Sequence, residues 1–342
     1  MMLKNTTTLF SPRLSRAYTA AARNDKARPL RPAASVIMTR DNKTPSSAYN
    51  YEIMMIQRSK GSNFFAGAFA FPGGVIEEAD FDPKWKDMLG DSAKDSENVR
   101  VSLEEKELNE LGFRIGATRE VFEEVNILLG QTKDRAAVTN AGSSWRPLVH
   151  NDAKEYHRMC TEMAVRPLVE KLVPFSHWTT PVSEGGSRYN TLFYLFHGGE
   201  EEFGTAGHDN VETINMRWLC PRTALNAFDA GEIFLPPPTW VMIHEMSQYK
   251  SIHGLMESMK GKNFGSGIYE NMPVLMRGDR VDDKVREEVE TKFHINSSDR
   301  QIVRDKRHKD GGNEMNRVVV TTSKEAGDRW KYMYWKGSES KL

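Results

Sequence analysis

Apolar positions along the chain fall into short runs separated by turn residues. Runs at 33–38, 51–56, 69–71, 127–129, 192–196 and 214–219 alternate or cluster as strands do. Spacing with a helical period covers 113–125, 151–171, 221–230 and 237–250. The second of these stops before Pro174, and the third opens on Pro221, a favoured first-turn residue. Pro236, Pro237 and Pro238 interrupt the helical region and set up the helix that follows. Strands interleaved with helices predict an α/β or α+β core from about residue 30 to 250. Beyond 260 the pattern weakens. The basic stretch 304–309, followed by Gly311 and Gly312, reads as a solvated hairpin tip or loop rather than a nucleic-acid patch. No internal repeat is visible, and the longest apolar runs, such as 192–196, are too short to span a bilayer.

Composition changes this picture little until it is resolved by region. The 342 residues carry 47 basic and 47 acidic side chains, so the whole chain gives no reason to expect a nucleic-acid or membrane-surface binder. Only Cys160 and Cys220 are present, too few for a disulfide framework and suited to a reducing or redox-neutral compartment. The neutrality is an average. Residues 1–34 hold seven bases against Asp25 alone, a balance of +6, and the first 24 lack acids, as mitochondrial presequences do. The alternative is a plain disordered N-terminus, which Pro12 favours by spoiling a clean amphipathic helix. From Glu77 to Glu110, 12 acids face five bases, a balance of −7, which by itself describes a solvated face or excursion. The chain ends in Ser340, Lys341 and Leu342, a receptor-read peroxisomal address that counts only at a C-terminus.

The densest chemistry lies in Arg119-Glu120-Val121-Phe122-Glu123-Glu124-Val125-Asn126-Ile127. Counted at about 100° per residue from Glu120, Glu123 falls near about 300° and Glu124 near about 40°, so the carboxylates share an arc of about 100°. Val121, Phe122 and Val125 fall on the opposite side, so the helix is expected to bury one face and point three acids from the other. An ordinary acidic amphipathic helix would intersperse lysines four residues away, and none occurs. Clustered carboxylates repel unless a cation joins them, and hard divalent ions such as Mg²⁺ take oxygen ligands of this kind. Upstream, Phe71-Pro72-Gly73-Gly74-Val75 supplies a Gly pair whose backbone can turn tightly against an ion or phosphate.

Together these residues resemble the signature of the Nudix hydrolases, G-x5-E-x7-R-E-U-x-E-E-x-G-U with U aliphatic. Residues 119–127 match its second half except that Asn126 replaces glycine, at a position that ends the helix left-handed and where Asn is the next most tolerant residue. Gly74 and Arg119 lie 45 positions apart where the compact motif has 14, an excess of 31. Counting back eight from Arg119 reaches Leu111, whereas counting forward six from Gly74 reaches Asp80, so the insertion is expected to follow Asp80 and to be the acidic stretch. The split box after F-P-G-G-V is similar to one Nudix branch, the peroxisomal coenzyme A and acyl-CoA diphosphatases of the X-motif-19 type. So are Gln57-Arg58-Ser59 with Gly61 and Gly67, 177–181, 188–193 and 235–240.

The resemblance implies a Nudix α/β/α sandwich with a mixed sheet and metal-dependent hydrolysis of the diphosphate bond of coenzyme A or acyl-CoA, giving 3′,5′-ADP and (acyl-)4′-phosphopantetheine. It implies Glu120, Glu124 and Glu123 as ligands of Mg²⁺ or Mn²⁺, with the Gly73 carbonyl completing them. Glu123, Glu120 and Arg119 are the catalytic candidates, Glu123 as ligand or water-orienting base and Arg119 holding the glutamates. Arg58, Gly73 and Gly74 are the substrate-binding candidates. Asp80 and Glu212 remain without an assigned role. Other readings are a Nudix diphosphatase for ADP-ribose, NADH or capped nucleotides, and a catalytically silent nucleotide-binding module. Expected segments are a flexible basic N-terminus (1–30), the hydrolase domain (31–220, insertion about 81–111), a helical extension (221–260) and a C-terminal extension (261–342). The expected location is the peroxisome, through its import receptor, with the mitochondrion as the alternative.

Overall fold

A computed structural model describes residues 29–336 apart from 45–46, 60–64, 94–97, 102–105, 134–143, 181–186, 204–212, 265, 269, 272, 278–299, 306–315 and 324–328. The basic leader, Glu212 and the terminal Ser-Lys-Leu lie outside the described residues.

Strands β1 (Leu30–Asp41) and β2 (Tyr51–Arg58) lead to two short ones, β3 (Phe69–Ala70) and β4 (Gly73–Val75). Helix α1 (Lys84–Leu89) and a hairpin of β5 (Asn98–Val101) and β6 (Lys106–Asn109) precede α2 (Glu110–Val125). Then come β7 (Gly130–Gln131), α3 (Trp145–Asn151), α4 (Lys154–Glu162), β8 (Arg166–Pro167), β9 (Val173–Thr179) and β10 (Arg188–His197). The chain continues through α5 (Glu200–Phe203), β11 (Thr213–Leu219), α6 (Pro221–Asp229), α7 (Pro237–Met246) and α8 (Ile252–Ser258). Last are β12 (Asn263–Phe264), β13 (Gly267–Ile268), β14 (Glu270–Asn271), β15 (Pro273–Arg277), β16 (Arg300–Asp305), β17 (Asn316–Ser323) and β18 (Arg329–Lys336).

The main sheet is mixed, in the order β11-β2-β1-β10-β9-β14, with β3 beside β2 and β4 beside β1. β1 and β10 run parallel from Leu30↔Arg188 to Thr39↔His197, and β4 folds back antiparallel on β1 with Ser35↔Gly73. The α+β architecture is as expected. α2 lies against β1 and β4. Val121 and Val125 of α2 enter a large core with Val36, Ile37, Met38 and Leu192, whereas Phe122 enters a second core with Trp85, Val149, Tyr156 and Met159.

Four expectations need correction. Helix α2 does not bury one face only, because α1, α3 and α4 cover its other side, so Glu123 and Glu124 are themselves buried. Residues 127–129 are no strand: Ile127, Leu128 and Leu129 are buried core links, and pairing starts at Gly130. A helix over 151–171 is replaced by α3 and α4, because Ala164 takes φ +52° and Pro167 stands in β8. The helix expected over 237–250 stops at Met246. The acidic stretch is partly structured, with Trp85 and Leu89 of α1 buried. In the basic stretch 304–309, Arg304 and Asp305 belong to β16, and 306–309 lie outside the described residues.

β9 and the antiparallel sheet β15-β16-β17-β18 are additions to the expected elements. Helices α6 to α8 share the large core through Leu225, Phe228, Met242, Ile243, Met246 and Leu255. Among the described residues no helix is long and apolar enough to cross a membrane.

Candidate active site

The site forms where α2 meets the turn before β4. The Ser35 hydroxyl donates to the Pro72 carbonyl at 2.8 Å, and Val36 N–H donates to the same oxygen at 2.9 Å, locking the turn onto β1. Gly73 takes φ +153°, and a Cβ there would strike the Ala34 carbonyl and Ser35. A Cβ on Gly74 would strike the Glu120 carboxylate. Gly73 is therefore required by close approach to backbone, whereas a side chain at Gly74 would displace the Glu120 carboxylate. The Gly73 N–H donates to Glu124 Oε2 at 2.8 Å, so Glu120 and Glu124 converge on one Gly pair.

α2 is oriented at both ends. Asn109 caps its N-terminus by accepting from Leu111 N–H at 2.9 Å. At the other end Asn126 adopts φ 57°, ψ 31° and donates its N–H to the Phe122 carbonyl at 3.0 Å. This is the left-handed cap expected from the sequence.

Arg119 is the hub. Its Nε and Nη2 donate to the two oxygens of Asp80 at 3.0 and 2.8 Å, and Nη2 also donates to the Val75 carbonyl at 2.9 Å. Nη1 donates to Glu120 at 2.9 Å and to Glu123 at 2.7 Å. Arg119 and Asp80 are only 3% and 1% exposed, so this pair is a buried fork-to-carboxylate contact. Asp80, the acid six positions after Gly74, meets the arginine 39 positions later in the chain. The other oxygen of Glu123 sits 3.2 Å from His150 Nδ1. Arg146 donates to the carbonyls of Glu123 and Glu124 at 2.6 and 2.8 Å. Sequence reasoning missed Arg146 and His150. Their only signal is the i, i+4 spacing of two basic residues on a helix that apolar periodicity had placed elsewhere.

Burial sets the electrostatics. It pushes the Glu120 carboxyl up to about 8, with the Glu123 and Asp80 charges adding to the rise and Arg119 opposing it. Glu123 is also raised, first by burial, against the pull of Arg119 and His150. Burial alone would lower Arg119, but its bonds to Asp80 and the charges of Asp80, Glu120 and Glu123 hold it firmly protonated. If ionised, those three acids outnumber the guanidinium they share.

Among the described residues no three acidic, His or Cys side chains converge as a ready-made metal site. The donor chemistry nevertheless fits a hard divalent cation: Glu120 and Glu124 supply carboxylate oxygens at one glycine turn, with surplus negative charge beside them. Arg58 ends β2, where its N–H donates to the Ala68 carbonyl at 2.9 Å.

The model of the NUDT19 Nudix domain matches residues 30–246, well over half of the chain. The protein belongs to this Nudix family. Among curated relatives, a chicken protein named acyl-coenzyme A diphosphatase NUDT19 is 29% identical over 272 residues, covering 68% of this chain and 72% of the relative. The human protein of the same name is 25% identical over 264 residues, covering 68% and 70%. A NUDIX hydrolase structure from Alicyclobacillus acidocaldarius superposes with a TM-score of 0.56 at 18% identity, covering 70% of this chain and all of that one, which shows the shared fold. This Nudix protein is a hydrolase of phosphorus-containing anhydrides, a diphosphatase.

Proposed function

We propose that this Nudix hydrolase cleaves the diphosphate bond of coenzyme A or acyl-CoA with Mg²⁺ or Mn²⁺, releasing 3′,5′-ADP and (acyl-)4′-phosphopantetheine. The observation that carries the reading is the convergence of Glu120 and Glu124 on Gly73 and Gly74, with Arg119 holding Glu120, Glu123 and Asp80. The relatives named acyl-coenzyme A diphosphatase support the substrate. Glu120 and Glu124 would hold the metal, with the Gly73 carbonyl as a further ligand. When bound, the metal neutralises diphosphate oxygens and acidifies an attacking water. Arg119 fixes the direction of Glu120 and Glu123, and Asp80 in turn fixes Arg119. Glu123, held at one oxygen by Arg119 and at the other by His150, orients the water rather than adding a freely placed ligand. Arg58, Gly73 and Gly74 contact the substrate. The Ser340-Lys341-Leu342 end, read by the import receptor, sends the protein to the peroxisome.

The test is Glu124→Gln assayed on coenzyme A, acyl-CoAs, ADP-ribose and NADH with each metal. Loss of one such electrostatic contact lowers kcat by about 10²- to 10³-fold while the fold persists. Wild-type turnover by this variant at saturating Mg²⁺ refutes the assignment, and preferential turnover of ADP-ribose or NADH by the wild type refutes the substrate.

A further inference from the structure

The last turn of α2 is held from outside the Nudix box. Asn126 bends the chain left-handed, which leaves the carbonyls of Glu123 and Glu124 at the end of the helix, where intrahelical donors run out. Arg146 of α3 takes both, its Nε on Glu123 O at 2.6 Å and its Nη2 on Glu124 O at 2.8 Å. One turn along the same helix, His150 Nδ1 stands 3.2 Å from Glu123 Oε2. α3 is itself anchored by Val149, buried in the core that also holds Phe122 and Tyr156.

We propose that Arg146 is a positioning residue for the hydrolysis, fixing the final turn of α2 so that Glu123 and Glu124 keep their working directions. The inference rests on the site reading above. A planar guanidinium spans two successive carbonyls with two donors, whereas a lysine ammonium acts as a single point charge. Its charge also complements the negative end of the helix dipole. Without it the turn is free to shift, and Glu124 can leave the Gly73 N–H it now accepts from at 2.8 Å. A displacement of about 1 Å at a catalytic group can cost about 10²-fold in rate.

The test compares full-length wild type, Arg146→Ala, Arg146→Lys and Glu124→Gln by steady-state kinetics on coenzyme A at saturating Mg²⁺, with thermal melting alongside. For Arg146→Ala, kcat is expected to fall by about 10- to 10²-fold with KM within about two-fold of wild type. Added guanidinium ion restores part of this kcat, Arg146→Lys does not recover it, and Glu124→Gln is not rescued. Wild-type kcat in both Arg146 variants overturns the proposal, as does a kcat loss in Arg146→Ala that guanidinium leaves untouched. Full activity in Glu124→Gln instead overturns the site reading itself, whatever the Arg146 variants do.

Discussion

Glu120 shows how the site stores charge. Its carboxyl faces Arg119 at 2.9 Å, yet burial and the neighbouring acids leave it more easily protonated than an ordinary glutamate. Its folded value, about 8, lies well above the 4.5 of an ordinary glutamate. The folded state therefore binds this proton more tightly than the unfolded chain does. The stabilisation is complete below the lower value and is lost as pH rises towards about 8. The melting temperature of chelator-treated protein should accordingly fall between about pH 5 and 8, and Glu120→Gln should flatten that fall. Equal slopes for the two proteins in scanning calorimetry would contradict the assignment. At this scale the sequence was legible where chemistry was local: Arg119, Glu120, Glu123 and Glu124 announce themselves by spacing. Arg146 and His150 did not, because they reach the box through tertiary packing, 23 and 27 residues beyond Glu123.

Among elements, α2 is the best anticipated and the most instructive. Its end at Asn126 followed from the tolerance of Asn for left-handed backbone, and Asn126 Oδ1 is buried with no hydrogen-bond partner among the described residues. Asn126→Gly removes both the backbone cost and the unsatisfied carbonyl, and should stabilise the protein by about 1 kcal/mol, read as a higher melting temperature. An unchanged or lower value would show that the asparagine side chain does more at this turn than the geometry implies. Other elements were harder to read. The apolar run 127–129 looks like a strand because a short buried run carries no period that separates strand from core link. β9 reads Val-Pro-Phe-Ser-His-Trp-Thr, whose proline and buried Ser176, His177 and Thr179 mask the alternation of a half-exposed strand. The helix drawn through 151–171 kept its apolar spacing only to α4, beyond which Ala164 and Pro167 impose backbone that no helix continues.

At the scale of the whole molecule, the peroxisomal proposal rests on three terminal residues and is checked by location. With a free C-terminus and a tag at the other end, the full chain should colocalise with a peroxisomal marker, and removal of Leu342 should disperse it. A mitochondrial pattern that survives this deletion would favour the basic leader instead. The mixed sheet was legible as a class from interleaved strands and helices, but its order was not, since β1 pairs in parallel with β10, Thr39 facing His197, 158 positions later. The same distance from local order governs the catalytic box. Asp80 and Arg119 stand 39 residues apart, and their paired donors and acceptors close a loop that carries α1, the β5–β6 hairpin and the start of α2. Once its ends are pinned, doubling the length of a flexible loop costs only about 0.6 kcal/mol in closure entropy. The β5–β6 hairpin, set between α1 and α2, is thus the part of the loop where chain length can change at little closure cost, and the arginine that aligns the glutamates doubles as the clasp that holds the box shut across it.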